Sequence, residues 1–298
     1  MRSIQSVLYQ RVAAVRRLQL HQRIGDCEEA AHRGREKEVA AELAMHFEQG
    51  REYNRAMKYL RQAATNDLLR YANREAIDHL TRALKLVERL PDQAEQVRLH
   101  LAILQQLGLA RHSQGDSQRA AEDFIALAAY ARAKHQSEWE VKALLYAATT
   151  LLWIDLERCL ATAEQAVTLS HHLTDEGLQV HARAYYGYWH SLVHGWRGED
   201  VQMCAQAVRL ARQAEDRALL GLHIGRYLYF QCIQSKYQAV CRVAEEDLQA
   251  AFNASDVHSY FTCQFFRAWA LLHLGQWSEM LAVLRDGEQM ADRNQHPV

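Results

Sequence analysis

The sequence predicts an all-α fold in which helical hairpins stack side by side into a solenoid. The stretch from Glu38 to Leu90 shows this most clearly, because its apolar residues recur at the i, i+3, i+4 and i+7 positions of successive amphipathic helices. Proline and glycine are scarce, at two and thirteen of 298 residues, which suits long helices and argues against an all-β fold. The pattern then repeats along the chain, and stacked hairpins bury faces that a single hairpin would leave exposed.

The N-terminal segment, residues 4–31, predicts one or two helices, followed by a polar linker at His32–Lys37. Arginines lie between its apolar positions and are interpreted as a solvated face rather than as a nucleic-acid patch. We therefore predict an N-terminal helical linker segment at 1–36 and a helical-repeat domain at 37–298. The residues of the first segment that we expect to face inward are Leu8, Val12, Val15, Leu18, Ile24 and Cys27.

The repeat domain begins with three predicted helices, separated at Gly50 and near Asn73. Their spacing places one apolar face of each helix in a core. The predicted core positions are Ala40, Leu43, Ala44 and Phe47; Ala56, Tyr59, Leu60 and Ala63; and Ala76, Leu80, Ala83, Leu84 and Val87.

Five helical hairpins follow Pro91, with steps of about 40, 44, 35 and 41 residues between equivalent positions of their second helices. Ser137 with Glu140 predicts a capping box, and Asp155 is placed to cap a helix. The aromatic residue after a turn glycine, as at Trp277, is expected to close the end of its hairpin. The predicted turns lie at Gly115-Asp116, Gly195-Trp196-Arg197-Gly198, Ser235-Lys236-Tyr237 and Gly275-Gln276-Trp277.

A small residue recurs within the first helix of each hairpin, and we expect it to let the partner helix approach closely. These residues are Gly108, Ala147, Gly187, Gly225 and Ala268.

One hairpin carries a recognisable set of residues: Leu107-Gly108, Gly115, Ala120 and Phe124. This set resembles the tetratricopeptide repeat, with L-G in the first helix, G-x-x-x-x-A across the turn and a bulky residue four positions later. The resemblance implies a right-handed α-α superhelix with a binding surface on its concave side. The steps exceed the usual 34 residues of that repeat and are nearer the long hairpin repeats of large bacterial signalling ATPases.

The run from Val7 to Ala30, followed by the helices that begin near Ala40, is similar to a junction in bacterial predicted ATPases of the STAND class. In that family an NTPase module and a winged-helix segment lead into a helical-repeat region. Some relatives carry adenylate cyclase, kinase or DNA-binding transcription-factor domains. The resemblance implies the repeat region of a bacterial signalling or transcriptional regulator, with an ATPase module upstream. The chain itself holds no G-x-x-x-x-G-K-[ST] motif, so we expect no ATP site within it.

Charge and composition narrow the classes of partner. The formal net charge is −1, which favours neither nucleic acid nor an anionic membrane. No apolar run is long enough for a membrane span, and the N-terminus lacks a signal-peptide core, so we expect a soluble cytoplasmic protein. The six cysteines form no C-x-x-C pair and are interpreted as buried free thiols.

No enzyme site is predicted. His190 and His194 have the i, i+4 spacing of two zinc ligands, but no H-E-x-x-H motif is present, and we interpret them as packing residues. Glu245 and Glu246 are helix neighbours on different faces, and no serine or cysteine lies in a nucleophile elbow. We accordingly predict no catalytic residue, no metal and no cofactor.

Aromatic residues are dense in the last three hairpins, and most of them are expected in the core. Some should face the concave groove, and tyrosine, tryptophan and arginine are favoured at binding hot spots. The residues that we predict to bind a ligand or partner are Tyr188, Arg226, Tyr229, Trp269 and His273.

The predicted function is non-catalytic binding of a protein or peptide partner, as the sensor or scaffold arm of a signalling ATPase or transcriptional regulator. Two alternatives stay open: a free-standing adaptor, and a stand-alone small-molecule or peptide receptor with an aromatic-lined concave groove. The last predicted helix, Ser278 to Asp292, also keeps an apolar face, and we expect self-association through it if it is left open. That face comprises Met280, Leu281, Val283, Leu284 and Met290.

Overall fold

A computed structural model describes residues 13–70, 72–152, 154–213, 217–253 and 257–294. Within these ranges every regular element is helical, which confirms the predicted all-α class. The chain divides into two compact units, Met1–Thr162 and Ala163–Val298. The predicted boundary between an N-terminal segment and a repeat domain at residue 36 stays a prediction, as does the handedness of a superhelix.

The first unit is a series of antiparallel helices joined by short turns. A 3₁₀ turn at Glu36–Val39 separates the first two α-helices. The α-helices are α1 (Ala14–Ala31), α2 (Ala40–Gln49), α3 (Tyr53–Leu69), α4 (Asn73–Val87), α5 (Gln93–Ser113), α6 (Ser117–Ala133), α7 (Ser137–Leu151) and α8 (Leu156–Ser170), the last of which crosses into the second unit.

The second unit continues the same hairpin pattern. Its remaining helices are α9 (Glu176–His194), α10 (Gly198–Gln213), α11 (Arg217–Ile233), α12 (Tyr237–Asn253), α13 (Val257–His273) and α14 (Trp277–Asn294). The helices α9, α11 and α13 are the first members of three successive hairpins, and α11 packs against α13 as well as against α12.

The core of the first unit lies where the periodicity placed it. Residues predicted to be apolar contacts on α2, α3 and α4 form one buried cluster with residues of α5, and Leu84 packs against its edge. Phe47 and Tyr59 stack within this cluster, with ring centroids 5.7 Å apart. The helical pattern of the sequence was therefore sufficient to identify this core.

The hairpin turns occur at the predicted positions. Asp116 accepts a hydrogen bond from the Arg119 backbone N–H at 3.3 Å, and Asp155 accepts one from the Arg158 N–H at 3.0 Å. Each carboxylate thus caps the helix that follows it. Positive φ angles mark the turns, with glycine at Gly115, Gly195 and Gly275 and other residues at Arg51, His135 and Ser235.

Close helix packing explains two of the small residues of the first helices, Gly108 and Gly225, in different ways. A Cβ atom on Gly108 would lie 2.7 Å from Phe124 of the partner helix α6, as predicted. A Cβ atom on Gly225 would instead lie 2.8 Å from Thr262 of α13. The expectation that Gly225 faces its own partner helix α12 was therefore wrong: it permits the approach of the next hairpin.

The prediction for the inward face of α1 was also wrong for three of its residues. Val15, Ile24 and Cys27 are exposed, whereas Leu18 is half-buried and Leu8 and Val12 lie outside the described residues. The buried residue of α1 is Gly25, where a Cβ atom would lie 2.7 Å from Phe47. Polar residues make the other contacts: Gln22 donates to the Gly50 carbonyl at 2.8 Å, and Glu29 accepts hydrogen bonds from Arg55 and Tyr59. This face is polar, so hydrophobic periodicity could not reveal it.

Two smaller expectations also fail. The α7 helix begins at Ser137 with Gln136 at its N-cap and no side-chain capping hydrogen bond, and Glu140 binds Arg132 at 2.7 Å instead of reaching back. Trp277 is 59% exposed and does not close its hairpin.

Candidate functional site

The helix α9 presents an aromatic face to α11. Asp175 caps α9 by accepting the Leu178 N–H at 3.0 Å, and the helix ends at Gly195. Tyr185, Tyr188 and Trp189 follow the i, i+3, i+4 spacing, so they share one face of α9. The residues that meet across the two helices, which we call the Arg226 cluster, are Tyr185, Tyr188, Trp189, His223, Arg226 and Tyr229.

Arg226 lies at the centre of this cluster. Its guanidinium carbon is 3.6 Å from the ring centroid of Tyr185, and 5.6 and 6.0 Å from those of Tyr188 and Trp189. A cation over an aromatic face is attracted by the ring quadrupole, most strongly where water is partly excluded. The stacking therefore holds the guanidinium in one position.

Tyr188 and Tyr229 extend the cluster toward solvent. Their rings meet edge to face, with centroids 5.2 Å apart, and both side chains are half-buried. Burial raises the pKa of the Tyr188 phenol, and the Arg226 charge opposes that rise. By contrast, Tyr185 and Trp189 are buried and form a fixed base beneath the half-buried residues.

Trp269 and His273 occupy a different part of the second unit, on α13. Trp269 stacks on Phe266, with centroids 6.0 Å apart, and packs against the core made with α11. His273 is exposed and stacks on Tyr237 of α12 at 4.8 Å. The structure thus brings Tyr188, Arg226 and Tyr229 together and places Trp269 and His273 in a second group.

Sequence reasoning missed the importance of His223. This residue is fully buried, and its Nε2 atom lies 2.5 Å from Nδ1 of His181 on α9. Burial, and then the charges of His181 and Arg226, lower the pKa of His223 to about 2. The ring is therefore neutral at physiological pH and serves as packing and hydrogen-bonding bulk. The i, i+3 spacing of His223 and Arg226 places both on one face of α11, and this spacing could have identified His223 as a member of the cluster.

The two histidines that suggested zinc are adjacent, with the ring centroids of His190 and His194 separated by 4.8 Å. Across the described ranges, no group of three or more His, Cys, Asp or Glu side chains converges on a common point. Burial raises the pKa of Cys204, beside the cluster, to about 12, so its thiol stays protonated. The arrangement is suited to holding a partner against fixed aromatic and cationic groups.

No protein-family model and no curated protein matches the sequence. Among solved structures, the apo form of RapI superposes with a TM-score of 0.54 at 7% identity, covering 92% of this chain and 80% of that one. A likeness at this identity establishes the fold class: the chain is an all-α protein of tetratricopeptide-like helical hairpins.

Two further structures superpose with lower TM-scores. The Rap conjugation gene regulator of plasmid pLS20, solved with the Phr* peptide, gives a TM-score of 0.46 at 12% identity, covering 87% of this chain and 74% of that one. A Podospora anserina putative kinesin light chain with nearly identical TPR-like repeats gives 0.41 at 14% identity, covering 80% and 96%. None of the described helices is both long and apolar enough to cross a membrane.

Proposed function

We propose that the chain is a non-catalytic helical-repeat module that binds a protein or peptide partner at the exposed side of the Arg226 cluster. The observation that carries this proposal is the stacking of Arg226 on Tyr185, with half-buried Tyr188 and Tyr229 beside it. Tyrosine, tryptophan and arginine dominate binding hot spots, where a few residues supply most of the affinity. Trp269 and His273 are proposed as a second contact region on α13.

Rigidity supports a binding role for this surface. Binding costs less free energy when the contributing side chains are already held in their bound positions. Arg226 is held by buried Tyr185, and the rings of Tyr188 and Tyr229 pack on each other and on buried Phe230. A partner would therefore meet a preformed surface and would not have to order it.

Selection from a displayed random-peptide library on the full chain tests this function. Peptides that bind here should lose affinity by about tenfold or more with Tyr188→Ser or Tyr229→Ser, because both remove a hot-spot ring. Tyr186→Ser is the matched control, since Tyr186 lies on the same helix but contacts His190 and Arg197. If no selected peptide distinguishes Tyr229→Ser from Tyr186→Ser, the surface is not the binding site.

We further propose that the module is the sensor or scaffold arm of a bacterial cytoplasmic regulator, a signalling ATPase of the STAND class or a transcriptional regulator. The support is the sequence similarity of residues 7–90 to the junction found in that class. An immunoblot of source cells with an antibody to this region measures the size of the natural polypeptide. A band near 34.3 kDa would contradict the proposal that the chain is part of a larger regulator and would favour an adaptor or receptor. A much larger band would support that proposal.

Thermal melting separates partner binding from the small-molecule alternative. A ligand that binds only the folded chain raises its melting temperature by mass action. A metabolite that stabilises the wild type, and that stabilises Tyr229→Ser less, would indicate a receptor for small molecules at the Arg226 cluster. A partner-binding surface is expected to give no such shift with a metabolite library.

A further inference from the structure

A groove of about 670 Å³ lies in the first unit between one face of α3 and one face of α5, beside the Leu90-Pro91 corner. This volume falls within the range of ligand-binding clefts. The α3 residues that line it recur at i, i+3, i+4, i+7 and i+8, so they form a continuous helical face. The groove is remote in sequence from the Arg226 cluster and is a separate feature of the chain.

The walls of the groove are polar and its floor is apolar. Met57, Leu90 and Leu99 are buried and line its base. Amide side chains from both helices line the walls, at Asn54, Gln62 and Gln106. Such a mixture suits a peptide, because amides pair with its backbone while an apolar side chain rests on the floor.

The charged residues of the groove leave a positive excess. Three cations, Lys58, Arg61 and Arg98, face two carboxylates, Asp92 and Glu95. Both carboxylates are already engaged: Asp92 caps α5 by accepting the Ala94 N–H at 2.8 Å, and Glu95 binds Arg98 through two hydrogen bonds of 2.9 and 2.6 Å. Lys58 lies 4.0 Å from a carboxylate outside the groove, that of Glu29. Arg61 is the remaining cation of the groove.

Arg61 differs from two other half-buried arginines of the first unit. Arg111 binds Asp123 and Arg55 binds Asp26, each at 2.6 Å. Arg61 has no carboxylate within 4.0 Å among the described residues, and its hydrogen bond is from Nε to Gln106 Oε1 at 3.4 Å. Burial and then the nearby Arg98 charge lower the pKa of Arg61, and the Glu95 charge offsets part of that lowering.

We propose that this groove binds a peptide segment in which a single Asp or Glu lies next to an apolar residue, with Arg61 as the anchor. The planar guanidinium is suited to bidentate binding of a carboxylate through its two terminal NH₂ groups. The neighbouring apolar side chain of the peptide packs on Met57 and Leu99. A nucleic acid carries a negative phosphate at every nucleotide. Asp92 and Glu95 repel such a chain, so they select against a nucleic acid.

The test is a random-peptide selection on the full chain and on three variants. Arg61→Gln removes the anchoring charge, Arg61→Lys keeps it without the fork, and Arg74→Gln removes an exposed arginine of α4 outside the groove. Peptides selected on the wild type are expected to be enriched in Asp or Glu beside an apolar residue. That enrichment should vanish on Arg61→Gln, weaken on Arg61→Lys and persist on Arg74→Gln.

Synthetic copies of the selected peptides give the quantitative result. We expect Arg61→Gln to raise their Kd by about tenfold or more, since a charge-assisted bidentate pair is lost. Circular dichroism melting confirms that each variant is folded. The proposal is overturned if the acidic enrichment is absent, or if Arg61→Gln retains it.

A deoxythymidine oligonucleotide tests the competing source of negative charge. If it binds in an Arg61-dependent manner and displaces the selected peptides, the groove is a nucleic-acid site and the peptide proposal fails. Peptides sensitive to Tyr229→Ser but not to Arg61→Gln would support the proposed function and still overturn this inference. The two proposals therefore fail independently.

Discussion

The Nε2 atom of His223 lies 2.5 Å from Nδ1 of His181, in the interior of the second unit. His223 is fully buried, with the guanidinium of Arg226 one helical turn away. Burial of the ring, then the His181 and Arg226 charges, lowers its pKa from 6.5 to about 2. The folded chain thus keeps His223 neutral over a range in which the unfolded chain protonates it.

This difference predicts a loss of stability in acid. Between pH 6.5 and pH 2 the unfolded state binds more protons at His223, so the free energy of unfolding falls as pH decreases. From pH 6.5 to pH 5 we expect a loss of about 2 kcal/mol from this residue. Urea denaturation across that range measures it. His223→Gln should flatten the pH dependence of the free energy of unfolding. His194→Gln, an exposed control on α9, should leave that dependence unchanged. Equal pH slopes for the two variants would contradict the assignment of the effect to His223.

The stacking of Arg226 on Tyr185 predicts an energetic coupling between the two residues. A partly desolvated cation–π pair contributes about 1–2 kcal/mol. A double-mutant cycle with Arg226→Met and Tyr185→Leu isolates this contribution in urea denaturation. Lys134 and Tyr130 provide a control pair at 5.8 Å, for which we expect about 0.5 kcal/mol or less. A coupling near zero for Arg226 and Tyr185 would show that the contact is geometric only.

The contact between Gly108 and Phe124 predicts that one methyl group destabilises the first unit. Gly108→Ala places a Cβ atom 2.7 Å from the ring, and overpacking of a core typically costs about 1–3 kcal/mol. Adding Phe124→Leu should recover part of the loss. Gly198→Ala is the matched control, because nothing lies within 4 Å of its added methyl group, and it should be neutral or stabilising by up to about 1 kcal/mol. A neutral Gly108→Ala would exclude tight packing at this crossing.

The exposed face of α14 predicts self-association. Val283 is buried and Met280 packs beside it, whereas Leu281 and Leu284 are 47% and 51% exposed. Contiguous apolar surface of this kind tends to be covered by another chain. Sedimentation velocity should show association that rises with concentration and weakens in the double variant Leu281→Lys, Leu284→Lys. Leu69→Lys on α3 is the control, and a concentrated wild type that stays monomeric would refute the expectation.

Helical periodicity predicted the fold because the packed faces of α2, α3 and α4 are apolar. Phe47 and Leu80 follow the spacing of a buried stripe and are fully buried. The face of α1 escaped the same reasoning because it is built from Gln22, Gly25 and Glu29, which pack through hydrogen bonds and the absence of a side chain. Polar packing leaves no hydrophobic signal in the sequence.

The candidate site was predicted in part. Tyr188, Arg226 and Tyr229 do meet, because residues three positions apart on a helix share a face. Trp269 and His273 fall in another group, because their rings pack on Phe266 and Tyr237. The groove around Arg61 escaped notice because its walls come from helices separated by α4, and their meeting depends on tertiary packing.

The cysteines give the protein a built-in attachment point for probes. Burial raises the pKa of Cys159, Cys204 and Cys232 to about 12, so these thiols are protonated and shielded, whereas Cys27 is exposed on α1. Thiolates, not thiols, react with maleimides. A dye therefore labels α1 first, and the slow later reaction of the buried thiols reports how often each hairpin opens.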